Sequence, residues 1–587
     1  MLNRDQFNVL RACAKGLLKN RHNDIDPLCA SCGFTDNSIR EMRDCGFVSE
    51  DFKLTNEGRN ALAPYKVDNA IILAAGMATR FAPLSFERPK ALFEVRGELL
   101  IERMICQIKE AGIDNIAVVV GYMKESFFYL ENDFGIKIVV NNDYAIRNNH
   151  SSIWCARELL GNTYIVSSDQ YYTRNVFEPY CFVSTCSATY SRGLTEEQVL
   201  VLDNDGVVMG LETGGSDSFF MQGPVYVDRE FSHSYLEILE REYDQPETIG
   251  KLWEQVFAGH TEELHMVAKV FEPGVIYEFD RITDLVAFDR DFFANVDSRI
   301  LDNICRILEC KREDIAGVTP IKAGLTNLST LFTVRDEKYI YRHPGNGTEE
   351  VVNRAAEAYA LRIASDLGLD DTYIYADPDE GWKISRYIED CTELDYSDRA
   401  QVERALQMAR ALHTSGKTSP WSFDFLKEGE NIAAILRSMS YPLPRDFDEL
   451  EQRVSSLAGA MRPEVDAPVL CHNDFYGPNI LVRGDEMRLI DWEYAAMGDP
   501  MCDIGNFIAQ GSGYSVEEAI DILPLYYGRE TTEEEKRHCI AAVGIVGWYW
   551  YVWAMYKEAM GNPVGEWLYI WYRAARTFVT AAEGMYS

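Results

Sequence analysis

Small residues and two fixed cations follow a short apolar run early in the chain, in the stretch AIILAAGMATRFAPLSFERPKAL. The apolar run, residues 70–73, predicts a buried parallel strand. Small residues after a strand let backbone N–H groups approach an anion closely. Arg80 and Lys90 supply the positive charge that a triphosphate requires, although solvated cations on an ordinary strand–loop–helix unit are the alternative. The residues predicted to contact the nucleotide are Leu73, Ala74, Ala75 and Gly76.

The same stretch resembles the signature of the sugar-nucleotidyltransferase family, L-A-A-G-x-G-x-R followed by P-K. Ala78 stands where that signature has its second glycine. The resemblance implies a Rossmann-like sheet that transfers a nucleotide to a phosphorylated acceptor, with Arg80 and Lys90 as catalytic residues.

Alternating strand and helix patterns over residues 67–292 predict a parallel α/β sheet with its ligand at the C-terminal strand ends. Gly121 and Asp169 each follow a strand end, so Gly121 is predicted to bind the nucleotide and Asp169 to hold Mg²⁺. In the family, matching aspartates hold the metal, which implies Asp169 and Asp280, with Glu278 as the rival of Asp280. The predicted strands are 70–73, 116–120, 136–141 and 164–167, and the predicted helices are 100–111 and 151–159.

The acceptor is indicated by the runs NNDY at 141–144 and NNHSSIW at 148–154. They resemble the phosphocholine cytidylyltransferase branch of the family, which implies a cationic head-group site near Asn149. A quaternary ammonium favours aromatic faces with acids nearby. Trp154, Tyr226 and Tyr277 are the aromatic candidates, and core packing is the alternative for each.

A second set of polar residues lies between two apolar runs late in the chain, VLCHNDFYGPNIL followed by LIDWE. Asp474 and Asn479 have the spacing of a base and a metal ligand in a kinase catalytic loop, and Asp491 follows a strand as the metal-binding aspartate does. The spacing resembles the choline/ethanolamine kinase and aminoglycoside phosphotransferase family. The resemblance implies that Asp474 is the base and that Asn479 and Asp491 bind Mg²⁺.

Residues upstream of this loop predict a nucleotide site. A strand pair with a polar turn, residues 321–342, can cover phosphates, and a helix that opens at residue 353 brings Glu357 towards Arg342. The run KISRYIE at 383–389 predicts a hinge strand that meets adenine with its backbone. The nucleotide-binding candidates in this region are Asn327, Arg342, Glu357, Arg386 and Ile388.

The substrate of this second site is predicted to be a cation. Glu493 places an acid near the loop, and Trp550 and Trp553 share one face of a helix. Two aromatic faces with a carboxylate form a cage for a quaternary ammonium, so choline is favoured over an aminoglycoside.

The whole chain is predicted to be multidomain, α/β and α+β. Its predicted parts are a winged helix over 1–66, the Rossmann-like nucleotidyltransferase sheet over 67–292 and a two-lobed protein-kinase-like fold over 296–587. The first part has predicted helices at 5–19, 26–32 and 35–45 and a wing at 47–55. A regulatory or protein-contact role is favoured there over DNA binding, because acids nearly cancel bases. Cys13, Cys29, Cys32 and Cys45 offer a zinc set, with packing in a helical core as the favoured alternative.

The composition of the chain indicates the class of protein. A net charge of −36 argues against general binding to nucleic acid or anionic membranes, and no N-terminal signal is recognised, so a cytoplasmic enzyme is expected. Residues 539–556 reach the length of a membrane span, but their aromatic content favours a buried helix. The prediction is a Mg²⁺-dependent enzyme that makes phosphocholine from choline and ATP, and then CDP-choline from phosphocholine and CTP. Ethanolamine or an aminophosphonate as substrate, and a DNA-binding sensor of nucleotide or choline, are the alternatives.

Overall fold

A computed structural model describes residues 2–18, 34–321, 327–344, 353–461 and 467–587. The chain divides into two compact units, Met1–Ser298 and Arg299–Ser587. The division into three domains at 1–66, 67–292 and 296–587 stays a prediction.

Three short helices begin the first unit, and each starts at a capping side chain. The caps are Asn3, Thr35 and Thr55, whose side-chain oxygens accept a backbone N–H of the first turn. The predicted wing is reduced to one antiparallel bridge between Val48 and Leu54. The predicted helix at 26–32 lies outside the described residues, so the winged helix stays a prediction. The helices are α1 Arg4–Ala14, α2 Asp36–Asp44 and α3 Asn56–Leu62.

These helices pack on the rest of the first unit through aromatic rings. Phe7 and Tyr65 lie 5.2 and 5.6 Å from the ring of Phe182, measured between ring centroids. Lys15 pairs with Glu178 beside them. The three helices therefore pack against residues 178–182, the segment that leads into the strand Thr185–Tyr190.

A mixed sheet with the predicted parallel strands at its core forms the centre of the first unit. Its strand order is β10-β9-β11-β6-β1-β4-β5, in which β6, β1, β4 and β5 run parallel and β11 is antiparallel to β6. The strands are β1 Asn69–Ala74, β2 Glu94–Val95, β3 Glu98–Leu99, β4 Ile116–Val120, β5 Lys137–Val140, β6 Thr163–Ser167, β7 Gln170–Tyr172, β8 Thr185–Tyr190, β9 Leu194–Leu202, β10 Val208–Ser216, β11 Phe219–Val227, β12 Val267–Phe271 and β13 Ile276–Glu278. The helices are α4 Leu100–Glu110, α5 Tyr129–Phe134, α6 His150–Cys155, α7 Arg229–Glu242, α8 Pro246–Ile249, α9 Trp253–Ala258, α10 Ile282–Phe288 and α11 Phe292–Asn295.

Burial explains why the central strands are apolar throughout. Every residue of β1 and β4 is buried, because helices cover both faces of a parallel sheet. Leu73 of β1 pairs with Val119 of β4 and with Ser167 of β6, so the three strands end together. The loops that leave these ends are consequently neighbours.

The second unit has the two-lobed, kinase-like organisation predicted from the sequence. An antiparallel sheet of order β14-β15-β16-β18-β17 is followed by a larger helical part. Its strands are β14 Ile315–Ile321, β15 Asn327–Val334, β16 Glu337–Pro344, β17 Tyr373–Ala376, β18 Lys383–Arg386, β19 Thr392–Glu393, β20 Val469–Cys471, β21 Ile480–Arg483, β22 Glu486–Leu489 and β23 Ala496–Gly498. Its helices are α12 Arg299–Leu308, α13 Arg354–Asp366, α14 Arg399–His413, α15 Phe425–Ser438, α16 Phe447–Met461, α17 Pro500–Ala509, α18 Val516–Tyr527, α19 Glu533–Ala559 and α20 Trp567–Tyr586.

Helix α19 is the centre of the helical part. Among the described residues, it is the one helix long and apolar enough to cross a bilayer, and 94% of its most apolar stretch is buried inside the protein. Glycines bring its neighbours close: a Cβ at Gly547 would lie 2.8 Å from the backbone nitrogen of Ala575 in α20. The helix is apolar because it packs in the core of this unit, as the sequence analysis favoured.

Candidate active sites

The predicted phosphate loop leaves the C-terminal end of β1, and its turn contains Ala78 at φ +48°. Alanine in this left-handed region costs about 1–2 kcal/mol, whereas glycine adopts it freely. This conformation explains the glycine that the family signature has at that position. The loop lines a cavity of about 230 Å³ together with Lys90 and Asp169.

Gly121 supports the loop by its lack of a side chain. A Cβ there would lie 2.8 Å from the backbone oxygen of Ala75 and 2.7 Å from the ring of Tyr144. The same Ala75 oxygen accepts the N–H of Tyr122 at 3.0 Å. The structure places Gly121 against the loop, where it permits close packing, and its contact with the nucleotide stays a prediction.

Lys90 joins residues that are far apart in sequence. Its Nζ lies 2.7 Å from Asp169 Oδ2 and donates to the backbone oxygen of Phe279 at 2.7 Å. The next residue, Asp280, has its Oδ1 3.9 Å from Nη1 of Arg80. The pairing of β13 with β7 brings these two acidic segments side by side. The structure thus brings together Arg80, Lys90, Asp169 and Asp280.

The donor set of this cluster fits a divalent cation. Asp169 Oδ1 is buried and has no hydrogen-bond partner among the described residues. A buried carboxylate oxygen without a partner is costly, and carboxylates are the ligands that Mg²⁺ prefers. Glu278, the rival of Asp280, accepts a hydrogen bond from Gln170 at 3.1 Å. Burial, and then the charges of Asp169 and Asp280, raise the pKa of Glu278.

A larger cavity of about 1140 Å³ adjoins the phosphate loop and shares Asn149 and Asp169 with the smaller one. Two half-buried acids, Glu254 and Glu278, face it together with Tyr277. Burial raises the pKa of Glu254 to about 7, although a hydrogen bond of 3.3 Å from Nδ2 of Asn149 opposes the shift. Acids whose pKa is raised by burial are stabilised in their charged form when a cation binds beside them. Glu254 was not predicted from the sequence.

The structure does not bring Trp154 and Tyr226 to this cavity, which corrects their prediction as substrate residues. Trp154 stacks on Tyr243 with ring centroids 4.7 Å apart. Tyr226 is 1% exposed and packs on Tyr164 in the core. Side chains alternate between the two faces of a strand, so Val225 lines the cavity and Tyr226 points away from it.

The second site lies at the loop after β20. Asp474 accepts two amide hydrogen bonds, one from Nδ2 of Asn479 and one from Nε2 of Gln510, each 2.9 Å long. Burial raises the pKa of Asp474 to about 8, although these two hydrogen bonds oppose the rise. The predicted base and metal ligand are therefore in contact, and Gln510 is a neighbour that sequence reasoning missed.

Asp503 of α17 holds the backbone of this loop. Its two oxygens accept the N–H groups of His472 at 2.8 Å and Asn473 at 2.6 Å. Asn473 and Asp491 both have left-handed backbones, at φ +62° and +66°. Such conformations are costly for residues other than glycine and persist where surrounding contacts enforce them, which is common in active sites.

A buried ion-pair cluster faces the loop from the sheet. Arg342 pairs with Glu357, as predicted, and its Nη1 lies 2.8 Å from both Asp491 and Glu493. Burial raises the pKa of Glu357 in isolation, but the charges around it, led by Arg342, bring that pKa down to about 2. Lys383 joins the cluster 3.2 Å from Glu357. Lys383 was predicted only as part of a hinge strand, so its role as a cation was missed.

Glu493 was predicted as the acid of the amine cage, and the structure corrects this. Its carboxylate lies 2.8 Å from Arg342 and 3.3 Å from Arg354. The two arginines therefore neutralise the negative charge of Glu493. Glu493 belongs to the ion-pair cluster on the nucleotide side of the site.

The remaining nucleotide candidates are spread along the sheet. Arg386 ends β18 with an exposed side chain, and its N–H donates to the backbone oxygen of Thr372 at 2.7 Å. The oxygen of Ile388 accepts from the thiol of Cys391 at 3.4 Å. Asn327 opens β15. Contact of these three residues with a nucleotide stays a prediction.

Aromatic rings gather at the predicted amine site. Trp550 and Trp553 have centroids 5.5 Å apart, and Trp571 of α20 lies 5.6 Å from Trp550. The indole N–H of Trp550 donates to Oδ1 of Asn506 at 2.7 Å. Trp550 and Trp553 thus share a face, as the helical spacing predicted, in a layer between α17 and α20.

The cysteines of the first helices give no zinc set in the described part. Cys13 is buried, with its pKa raised to about 11 by burial, and Cys45 is exposed. Cys29 and Cys32 lie outside the described residues. Zinc binding by these four thiols stays a prediction.

Comparison with known proteins agrees with both sites. Residues 70–178 match the family described as MobA-like NTP transferase domain, and residues 317–536 match the phosphotransferase enzyme family. Choline-phosphate cytidylyltransferase of Streptococcus pneumoniae is 33% identical over 215 residues, which cover 37% of this chain and 94% of that protein. 2-Aminoethylphosphonate cytidylyltransferase of Lancefieldella rimae is 34% identical over 228 residues, 38% of this chain and 93% of that protein. The crystal structure of choline kinase LicA from Streptococcus pneumoniae is 25% identical, covers 48% of this chain and 98% of that chain, and has a TM-score of 0.42.

The chain is therefore an enzyme with a nucleotidyltransferase domain and a kinase domain of the phosphotransferase type. Through its residues around the phosphate loop, it belongs to the family of cytidylyltransferases that includes these two relatives.

Proposed function

We propose that the chain is a bifunctional enzyme that phosphorylates choline with ATP and then transfers CMP from CTP to phosphocholine. The products of the second step are CDP-choline and pyrophosphate. Similarity to a choline-phosphate cytidylyltransferase supports the second reaction, and a kinase domain in the same chain would supply its acceptor. A cytoplasmic location is part of the proposal.

The observation that carries the acceptor class is the pair of half-buried carboxylates in the larger cavity. Glu254 and Glu278 lie in one cavity with Asp169, and burial raises the pKa values of both glutamates. Their hydrogen-bond donors, Asn149 and Gln170, are neutral, so an acceptor that carries a fixed positive charge relieves the cost of burying the two negative charges. A phosphorylated amine fits both ends of the site, because its ammonium group is attracted by the two glutamates and its phosphate by Lys90.

In the cytidylyl transfer, a phosphate oxygen of phosphocholine attacks the α-phosphorus of CTP in line. The new P–O bond forms as the bond to the β-phosphate oxygen breaks, and pyrophosphate leaves. Arg80 and Lys90 stabilise the negative charge that develops on the phosphoryl oxygens. Asp169 and Asp280 would hold Mg²⁺, which supplies further neutralisation of the triphosphate.

In the kinase reaction, Asp474 accepts the proton of the choline hydroxyl, whose oxygen attacks the γ-phosphorus of ATP and releases ADP. Asn479 and Asp491 would hold Mg²⁺ at the phosphates. Arg342 and Lys383 lie beside Asp491 and are placed to attract the phosphate charge. Trp550 and Trp553 offer aromatic faces to the quaternary ammonium.

A primary amine is the second candidate, because carboxylates rather than Trp154 and Tyr226 face the larger cavity. An ammonium group with N–H donors, as in phosphoethanolamine or an aminophosphonate, prefers carboxylates to aromatic faces. The relative that acts on 2-aminoethylphosphonate agrees with this candidate. A phosphonate acceptor needs no kinase to attach its phosphorus, however, so the kinase domain favours an amino alcohol.

The test is a one-pot reaction with ATP, CTP, Mg²⁺ and either choline or ethanolamine, followed by mass spectrometry. The wild-type chain is expected to form CDP-choline. Lys90→Met should stop the reaction at phosphocholine, and Asp474→Asn should leave choline unchanged.

Each variant is a control for the other, because the two domains lie in one polypeptide. Asp474→Asn should still convert added phosphocholine, and Lys90→Met should still consume ATP with choline. Exclusive use of ethanolamine would replace choline by the second candidate. Turnover of neither amine would overturn the proposal and favour a sensor of nucleotide or choline.

A further inference from the structure

Gln510, at the C-terminal end of α17, contacts the carboxylate assigned as the kinase base. Its Nε2 donates to Asp474 Oδ1 at 2.9 Å, while Asn479 donates to the other carboxylate oxygen. Each oxygen of the base thus accepts one amide N–H. Asn479 was recognised from its spacing, but Gln510 lies 36 residues after Asp474 and belongs to no recognised motif.

Asn506 connects Gln510 to the aromatic layer. Its Oδ1 accepts two hydrogen bonds, from Nε1 of Trp550 at 2.7 Å and from Nε2 of Gln510 at 3.0 Å. Its Nδ2 donates to the backbone oxygens of Asn473 at 3.1 Å and Cys502 at 3.0 Å. All the hydrogen-bonding capacity of the Asn506 side chain is therefore used.

The indole N–H sets the direction of every hydrogen bond in this chain of contacts. An indole nitrogen only donates, so the oxygen of Asn506 and not its amino group must face Trp550. The same oxygen then requires the amino group of Gln510, because two oxygens would repel each other. An amino group has two hydrogens, and the second one points at Asp474. The orientation of both amides follows from one unambiguous donor.

Burial makes the network energetically important. Asn506 is fully buried and Gln510 is 2% exposed. Hydrogen bonds to a carboxylate are stronger in such surroundings than in water, so the bond from Gln510 holds the carboxylate of Asp474 in one orientation.

We propose that Gln510 is a positioning residue that orients Asp474, and that Asn506 fixes Gln510 from Trp550. This proposal rests on the proposed role of Asp474 as the base of the kinase reaction. Trp550 then has two functions, because its ring faces the amine layer while its N–H orients the base.

The test measures kcat and KM for the amino alcohol that the wild type phosphorylates, choline or ethanolamine. Gln510→Met keeps the length of the side chain and removes the donor. The carboxylate of Asp474 can then turn away from the substrate hydroxyl, so kcat should fall about 10–100-fold. KM should stay within about threefold, because the change affects the orientation of the base and not the binding of the substrate.

Trp550→Phe removes the indole N–H but keeps an aromatic ring, and it should lower kcat by a smaller factor than Gln510→Met. Trp548→Phe is the matched control, because its indole N–H is buried on the same helix and has no hydrogen-bond partner in the described chain. That control should leave kcat unchanged. Thermal unfolding of each variant shows whether it is folded at the assay temperature.

An unchanged kcat for a folded Gln510→Met enzyme would overturn this inference and leave the proposed function standing. A loss of kcat of equal size in Trp548→Phe would also overturn it, because the effect would then come from general packing. Activity that survives in Asp474→Asn would instead overturn the role of Asp474 as base, and a wild type that phosphorylates neither amine would overturn the proposed function. Either result would also overturn the inference about Gln510, because that inference rests on Asp474 being the base.

Discussion

Replacing Lys90 by methionine tests the nucleotidyltransferase site most directly. The change removes an ammonium group 2.7 Å from both Asp169 Oδ2 and the backbone oxygen of Phe279. Methionine keeps an unbranched side chain of similar length, so the contact with the ring of Phe81, 4.6 Å from Nζ, is largely retained. The substitution therefore removes the positive charge and changes the packing little.

The expected loss of kcat follows from the position of the Lys90 charge in the site. Loss of one preorganised donor to a developing negative charge lowers kcat by about 10²–10³-fold, or about 3–4 kcal/mol of transition-state stabilisation. The folded state also changes, because Asp169 loses its cation. Removing one partner of a fully buried pair costs about 3–5 kcal/mol, and the 14% and 19% exposure of these side chains reduces this to about 1–3 kcal/mol.

The assay follows pyrophosphate release from CTP with added phosphocholine, and phosphorylation of choline in the same preparation is the internal control. Lys137→Met is the matched variant, since Lys137 is exposed on β5. Both variants should keep the kinase rate, and only Lys90→Met should lose CMP transfer. If Lys90→Met transferred CMP within threefold of the wild-type rate, Lys90 would have no part in stabilising the transition state.

Three further predictions concern single side chains. Glu254→Gln should raise the melting temperature of the ligand-free protein at pH 8 but not at pH 5, because a half-buried acid with a pKa of about 7 is charged only at the higher pH. Arg342→Met should abolish kinase activity and destabilise its unit by about 3 kcal/mol, since the buried Glu357 and Glu493 lose this cation and keep the more distant pairs with Arg354 and Lys383, whereas Arg399→Met removes an exposed pair and should cost under about 1 kcal/mol. Gly121→Ala should slow CMP transfer and cost about 1–3 kcal/mol through its clash with the phosphate loop, whereas Gly250→Ala, which meets no atom within 4 Å, should be neutral.

These outcomes are measured by thermal and urea unfolding together with the two activities. An equal gain in melting temperature for Glu254→Gln at both pH values would show that Glu254 does not titrate between them. Equal losses from Arg342→Met and Arg399→Met would contradict the special status of the buried cluster. Retention of full CMP transfer by Gly121→Ala would mean that the loop tolerates displacement.

Local patterns predicted the elements that carry both sites. The strand predicted at 116–120 is observed with those bounds, and the one predicted at 70–73 extends by one residue at each end. The helix predicted at 151–159 is shorter, because α6 ends at Cys155 and a separate 3₁₀ turn, Arg157–Leu159, follows. Continuous apolar runs with small or polar residues at their ends are strong local signals, since burial on both faces requires them.

Such local signals do not predict which residues from distant parts of the sequence lie at a site. Glu254, Lys383 and Gln510 lie in no motif, and each reaches a site only when a separate element packs against it. Their residue types are common on protein surfaces, so nothing in the local pattern separates them from solvated side chains.

The sequence by itself determined the strand–loop unit that carries Lys90 and the spacing of Asp474, Asn479 and Asp491, because residues within one loop are positioned by short-range geometry. Only the tertiary structure decided that Glu493 pairs with arginines and that Tyr226 lies in the core. Strand register and helix packing set these outcomes, and a change of one residue in register turns a side chain to the opposite face of a sheet. The physical reason is that partners distant in sequence, and not the residues themselves, determine where a buried charge is neutralised.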